Sequence, residues 1–167
     1  ESKGIFWRLG VADYFLLLFA NVMEHELKVF EAGSREYEKA IILRYNILRK
    51  PLGMRFTEAE MHKDKEDTHL GLFEGDKILA CLTLSRFSNG RMKMRQVAVD
   101  ARLQRTGLGR ILSAEAEKYA VENGFTTMFC NARDVAVPFY TKLGYKVVSD
   151  VFTEVGIPHY TMEKELK

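Results

Sequence analysis

Apolar residues recur along the chain at two spacings, every second residue in some stretches and every third or fourth in others, and the changes between them mark its elements. Residues 27–33 (LKVFEAG) read as a strand ending in a turn. Ser34 then caps a helix whose apolar positions Tyr37, Ile41, Tyr45 and Leu48 keep helical spacing until Pro51 and Gly53 stop it. Thr57 followed by Glu60 fits the capping box of a short polar helix, and residues 68–85 (THLGLFEGDKILACLTLS) read as a hairpin turning at 74–76.

The strand over 91–99 carries an irregularity. Met92 and Met94 alternate with Arg91, Lys93 and Arg95, but the apolar phase then moves to Val97 and Val99. A strand shows one set of side chains per face, so a shift of phase requires an inserted residue and predicts a β-bulge at 95–97. Leu108, Ile111, Leu112, Ala116, Tyr119 and Ala120 then mark an amphipathic helix closed by Asn123 and Gly124. Residues 126–132 (TTMFCNA) follow as a buried strand, Asp134 is placed to cap a helix bearing VPFYTKLGY, and strands near 145–151 and 159–163 complete the chain. The order predicts one mixed α/β domain with helices on both faces of its sheet.

Length and composition add constraints. A chain of 167 residues, 47% hydrophobic and 29% charged, fits a single globular domain. Its net charge of +2 is dispersed, which predicts no nucleic-acid partner. Cys81 and Cys130 sit in strand-like runs as small hydrophobes, so a reducing, cytoplasmic setting is expected and a disulfide framework is not. The histidines show no metal-ligand spacing, and no metal site is expected. Residues 11–23 (VADYFLLLFANVM) are apolar on nearly every side, yet the uninterrupted part is far short of the roughly 20 residues a bilayer span needs. The expectation is an apolar appendage over 1–22, able to support a homodimer, attached to a domain that occupies 23–167.

Candidate chemistry is concentrated in LQRTGLGR (103–110), between a strand and a helix. Amides that open a helix lack partners and carry the positive end of its dipole, and Gly107 and Gly109 clear the approach of an anion to them. The spacing fits neither a P-loop, which needs GxxxxGK[ST], nor the dinucleotide pattern GxGxxG, whose third glycine is Leu112 here. It does fit QxxGxG through Gln104, Gly107 and Gly109.

With that loop and the downstream segment NARDVAVPFYTKLGY, the chain resembles the GNAT superfamily of N-acetyltransferases, in their small bacterial form, over roughly 24–165. The resemblance implies an α/β fold of GNAT type: a mixed, mostly antiparallel central sheet splayed between strands 4 and 5, helices on both faces. It implies acetyl-CoA as cosubstrate, held by Val97, Ala98 and Val99 on the open strand edge, by Gln104, Arg105, Thr106, Gly107, Leu108, Gly109 and Arg110 in the loop, and by Asn131 and Tyr140. The acceptor is then a primary amine, on a small molecule or a peptide. Tyr140 stands where the family carries its proton donor to the leaving thiolate. The bulged strand contains no carboxylate to act as base, which leaves Glu154 and His159 as candidates or a relay through water. Alternatives are a non-catalytic acyl-CoA sensor, or an interaction module. Arg44 and Arg49 read as a solvated helix face, with binding of an acidic acceptor as the alternative.

Overall fold

The computed structural model of the protein describes residues 25–167; the expectations for the apolar stretch 11–23 and for a domain start near Met23 lie outside them. Eight strands form one sheet: β1 (Glu26–Phe30), β2 (Thr68–Glu74), β3 (Lys77–Arg86), β4 (Arg91–Val99), β5 (Thr127–Arg133), β6 (Lys146–Val147), β7 (Phe152–Glu154) and β8 (Ile157–Glu165). Their order is β1-β2-β3-β4-β5-β8-β6, with β7 paired to β8. Only β4 and β5 run parallel. Their connection carries a helix, as a parallel crossover must.

Among the described residues four α-helices cover the sheet: α1 (Arg35–Arg44), α2 (Glu58–Lys63), α3 (Leu108–Glu122) and α4 (Val137–Lys142). Leu108, Leu112, Ala116 and Ala120 of α3 pack on Met92, Met94 and Met128 on one face. Tyr37, Ala40 and Leu43 of α1 pack with Phe73, Cys81 and Ala98 on the other. The predicted caps form as local chemistry requires. Ser34 Oγ accepts from the Tyr37 amide, and Thr57 and Glu60 make a reciprocal capping box. Glu74 and Lys77 close the β2–β3 hairpin at the expected turn.

The bulge is present. Cys81 lies opposite Ala98 and Thr83 opposite Arg95, so Gln96 and Val97 together face the single residue Leu82. Gln96 takes a positive φ of 51° to do so. Its effect is a change of side: Met92 and Met94 face α3, whereas Ala98 faces α1.

Three local expectations are corrected. The buried stripe of α1 is Tyr37, Ala40, Leu43 and Arg44, while Ile41, Tyr45 and Leu48 are half-buried. A π turn over Tyr45–Arg49 continues the helix and rotates the later positions away from the stripe, and an arginine occupies a core position. The strand expected over 145–151 is only Lys146–Val147. The chain turns instead at Val155 and Gly156, both with positive φ, so that Phe152–Glu154 folds back on β8 as a hairpin. Asp134 does not cap α4: its carboxylate accepts from the Val135 amide inside a 3-10 turn over Asp134–Ala136, and α4 begins after it with Pro138 in its first turn.

Arg44 and Arg49 are buried, not solvated, with 1% and 8% of their surface exposed. Arg44 pairs with the fully buried Asp64 at 2.8 Å, Arg49 with Glu60 at 2.8 Å, and both guanidinium groups stack on Phe56. Among the described residues no helix is long and apolar enough to cross a membrane.

Candidate active site

The parallel pair β4–β5 holds together only where 91–93 meet 127–129. Beyond Lys93 the strands separate around the bulge and leave a cleft of about 610 Å³ between them. Antiparallel pairing decides which backbone groups face it. The Asp100 amide bonds to the Leu79 carbonyl, so hydrogen-bonded pairs with β3 fall at 79/100 and 81/98, and Val99 between them turns its N–H and C=O toward β5. Val97, inside the bulge, has no partner on β3. The edge is thus open at Val97 and Val99. Ala98 is a correction: its backbone faces β3 and its side chain is buried under α1, so it offers nothing to a ligand in the cleft.

The glycine loop ends beside this edge. Gln104 Nε2 makes a long, 3.4 Å bond to the Val99 carbonyl, and Thr106 donates to the Leu103 carbonyl. Gly107 caps α3 with φ of 95°, a conformation that a Cβ would strain, and supplies no side chain to the helix start. The first α3 bond runs from the Ile111 amide to the Gly107 carbonyl, so the amides of 108–110 lie ahead of the helical ladder. Arg105 and Arg110 are exposed on either side, and the Leu108 side chain is buried in the core, leaving only its amide for a ligand. A Cβ on Gly109 would meet Phe139 at 3.4 Å, an ordinary contact, so the fold alone does not require glycine there.

Tyr140 reaches the cleft from α4, its ring set edge-on to Phe139 and Tyr145 at 5.0 and 5.6 Å. It is 7% exposed, and its hydroxyl has no hydrogen-bond partner among the described residues. Burial pushes its pKa well above the usual tyrosine range, and burial also pushes the neighbouring Cys130 thiol up to about 12. Such a thiol is not a nucleophile at neutral pH.

The β7–β8 hairpin supplies the remaining groups. His159 is buried, stacked on Phe152, and its Nδ1 lies 2.8 Å from the Ile157 carbonyl. A carbonyl only accepts, so Nδ1 carries the proton and the neutral ring presents Nε2 as its basic nitrogen. That nitrogen lies 3.7 Å from Glu154. Asn131, expected at a strand end, sits inside β5, donates to Glu154 at 3.2 Å and accepts from Thr161 at 3.3 Å. Of the sequence-predicted residues, Val97, Gln104, Asn131, Tyr140, Glu154 and His159 line one cleft, and the loop residues 105–110 lie outside its lining.

Sequence reasoning missed Gln96, Lys93 and Arg133 in the same lining, which also holds Arg49. Period two gave a signal for two of them: Lys93 shares a face with Arg95, and Arg133 with Asn131.

A splayed parallel pair, a bulge at the gap and a helix start without a side-chain cap thus lie side by side. A family model described as Acetyltransferase (GNAT) domain matches residues 49–166. The chain belongs to the GNAT family and is an acetyl-CoA-dependent N-acetyltransferase. It is 28% identical to the N-acetyltransferase YjcF of Bacillus subtilis, over 82% of this chain and 98% of that one. An acyl-CoA N-acyltransferase from Pseudomonas aeruginosa superposes with a TM-score of 0.75 at 20% identity, over 84% of this chain and 99% of that one. An aminoglycoside 6'-N-acetyltransferase solved with coenzyme A gives 0.67 at 14% identity, covering 84% and 96%. At these identities the two structures establish the fold.

Proposed function

We propose that the protein transfers acetyl from acetyl-CoA to a primary amine by direct attack within a ternary complex. The observation that carries this is the edge opened by the bulge, where Gln96 and Val97 line one cleft together with Tyr140 and His159. Acetyl-CoA supplies an activated thioester carbonyl. The open edge suits the amide-rich arm of such a cosubstrate as an added strand. The amides of 108–110, with Arg105 and Arg110, suit its diphosphate, and an aminoglycoside acetyltransferase of the same fold was solved in complex with coenzyme A. Holding both substrates in line can itself contribute about 7–11 kcal/mol.

The step forms a C–N bond and breaks a C–S bond, so one proton must leave nitrogen and one must reach sulfur. His159 Nε2, beside the Glu154 carboxylate, takes the first directly or through water. The Val97 N–H, at the bulge where the register with β3 is broken, stabilises charge on the carbonyl oxygen. Tyr140 gives a proton to the departing thiolate.

Initial rates with both substrates varied should give intersecting double-reciprocal lines. Parallel lines would mean a covalent acyl-enzyme and would sink direct attack. Gly109→Ala separates ligand space from fold: since an added Cβ makes only ordinary contacts, the melting temperature should hold while CoA affinity falls roughly tenfold or more. Unchanged affinity by calorimetry would remove the α3 start from the diphosphate site.

A further inference from the structure

The lining of the cleft is short of negative charge. Arg49 is paired with Glu60, and Arg95 with Asp67 at 3.2 Å behind the wall. Glu154 is engaged by Asn131 and His159. That leaves Lys93 and Arg133, both half-buried, with no carboxylate within 4.0 Å among the described residues. Arg133 spends one nitrogen on the Leu48 carbonyl at 3.3 Å, and Lys63 stands exposed at the rim.

Both interior cations are unfavourably placed as they stand. Burial, then the nearby Arg49 charge, lowers the pKa of Arg133. Burial lowers that of Lys93 too, with Arg95 and Lys63 adding repulsion that Glu154 opposes. A desolvated cation without a counter-charge is costly, and an anion brought in by a ligand relieves that cost. Beside them, at the bulge, Gln96 Oε1 is buried with no partner among the described residues and can accept from an amine N–H.

We infer that the acceptor is a small primary amine that also bears an anionic group, a carboxylate or phosphate, held by Arg133 and Lys93 while its nitrogen lies at Gln96 and the thioester. This rests on the acetyl-transfer reading above. The cleft, about 610 Å³ and shared with the end of the cosubstrate, suits a ligand of amino-acid size. A guanidinium matches carboxylate or phosphate through paired hydrogen bonds, whereas a polyamine would meet like charges on this wall.

The test uses the full chain, acetyl-CoA and amines paired with and without an anionic group: β-alanine against propylamine, and phosphoethanolamine against ethanolamine, followed by thiol release. In at least one pair the anionic member should lead by about tenfold or more in kcat/KM, and which pair does so distinguishes carboxylate from phosphate. Arg133→Gln should raise KM for that acceptor roughly 10- to 100-fold, leave KM for acetyl-CoA unchanged and abolish the preference within the pair, with partial recovery in Arg133→Lys. Lys93→Gln, at a second position, should reduce the same preference. Neutral members reacting as well or better, or variants that slow both members alike, overturn the inference. Calorimetry with CoA separates the two levels: uptake of CoA without anionic preference overturns this inference alone, and no uptake overturns the transferase reading beneath it.

Discussion

Tyr140→Phe should lower kcat by about 10²–10⁴ with little change in acetyl-CoA affinity. The phenyl ring keeps the packing against Phe139 and Tyr145, and the hydroxyl has no protein partner that its removal would orphan. Stability should therefore be nearly unchanged, so any loss of rate reports chemistry. Burial holds the Tyr140 hydroxyl protonated across any practical assay range. A buried phenol is a weak acid, but sulfur in the same surroundings is a strong base: the Cys130 thiol, in the wall of the same cleft, is pushed up to about 12. A thiolate expelled there has a proton affinity far above that of a thiol in water, which brings donor and leaving group closer together. Steady-state thiol release gives kcat, and titration with CoA gives affinity. A variant with undiminished turnover would take Tyr140 out of the proton path.

What could be read from sequence was chemistry of short range. The bulge was visible because a strand cannot change the face of its apolar residues without an inserted residue, and Gln96 is that residue. The helix starts at Ser34 and Thr57 were visible because an N-cap and its partner lie three residues apart. Gly107 was visible because an anion site at a helix start calls for a residue without a Cβ, and its φ of 95° makes it the left-handed cap of α3 as well. The failures come from partners distant in sequence or from a turn that the apolar pattern does not mark. Arg44 enters the core only because Asp64 lies 20 residues on, and Arg49 because Glu60 lies 11 residues on. The Glu154–His159 pairing depends on a hairpin at Val155 and Gly156 that no apolar pattern announces. The cationic wall is likewise a product of topology, since Lys93 and Arg133 come from strands that pair only at their opposite ends.

The longest-range of these contacts also leads to the largest effect on stability. Asp64→Ala should destabilise the fold by about 3–5 kcal/mol, because it leaves Arg44, 1% exposed, as an unpaired buried charge. The Asp64 carboxylate also accepts from Tyr37 at 2.8 Å and lies 3.9 Å from Arg95, so α1, the turn after α2, and β4 all meet at this one group. Stacking on Phe56 at 4.9 Å cannot replace it: Arg44 Nε and Nη2 already lack hydrogen-bond partners among the described residues. At roughly 2–4 °C per kcal/mol for a chain of this size, the melting temperature should fall by about 6–20 °C. Removing both charges, in Arg44→Met with Asp64→Leu, should cost much less than Asp64→Ala alone, since the buried charge that makes the single change expensive is then absent. Urea melts of the two single variants and the double would measure the coupling. If the single variants together destabilise no more than the double, the pair is not what joins α1 to the bulged strand. Because Arg95 and its partner Asp67 stand directly before the bulge, Asp64→Ala should also lower turnover at temperatures where the chain remains folded, through displacement of Gln96 and Val97.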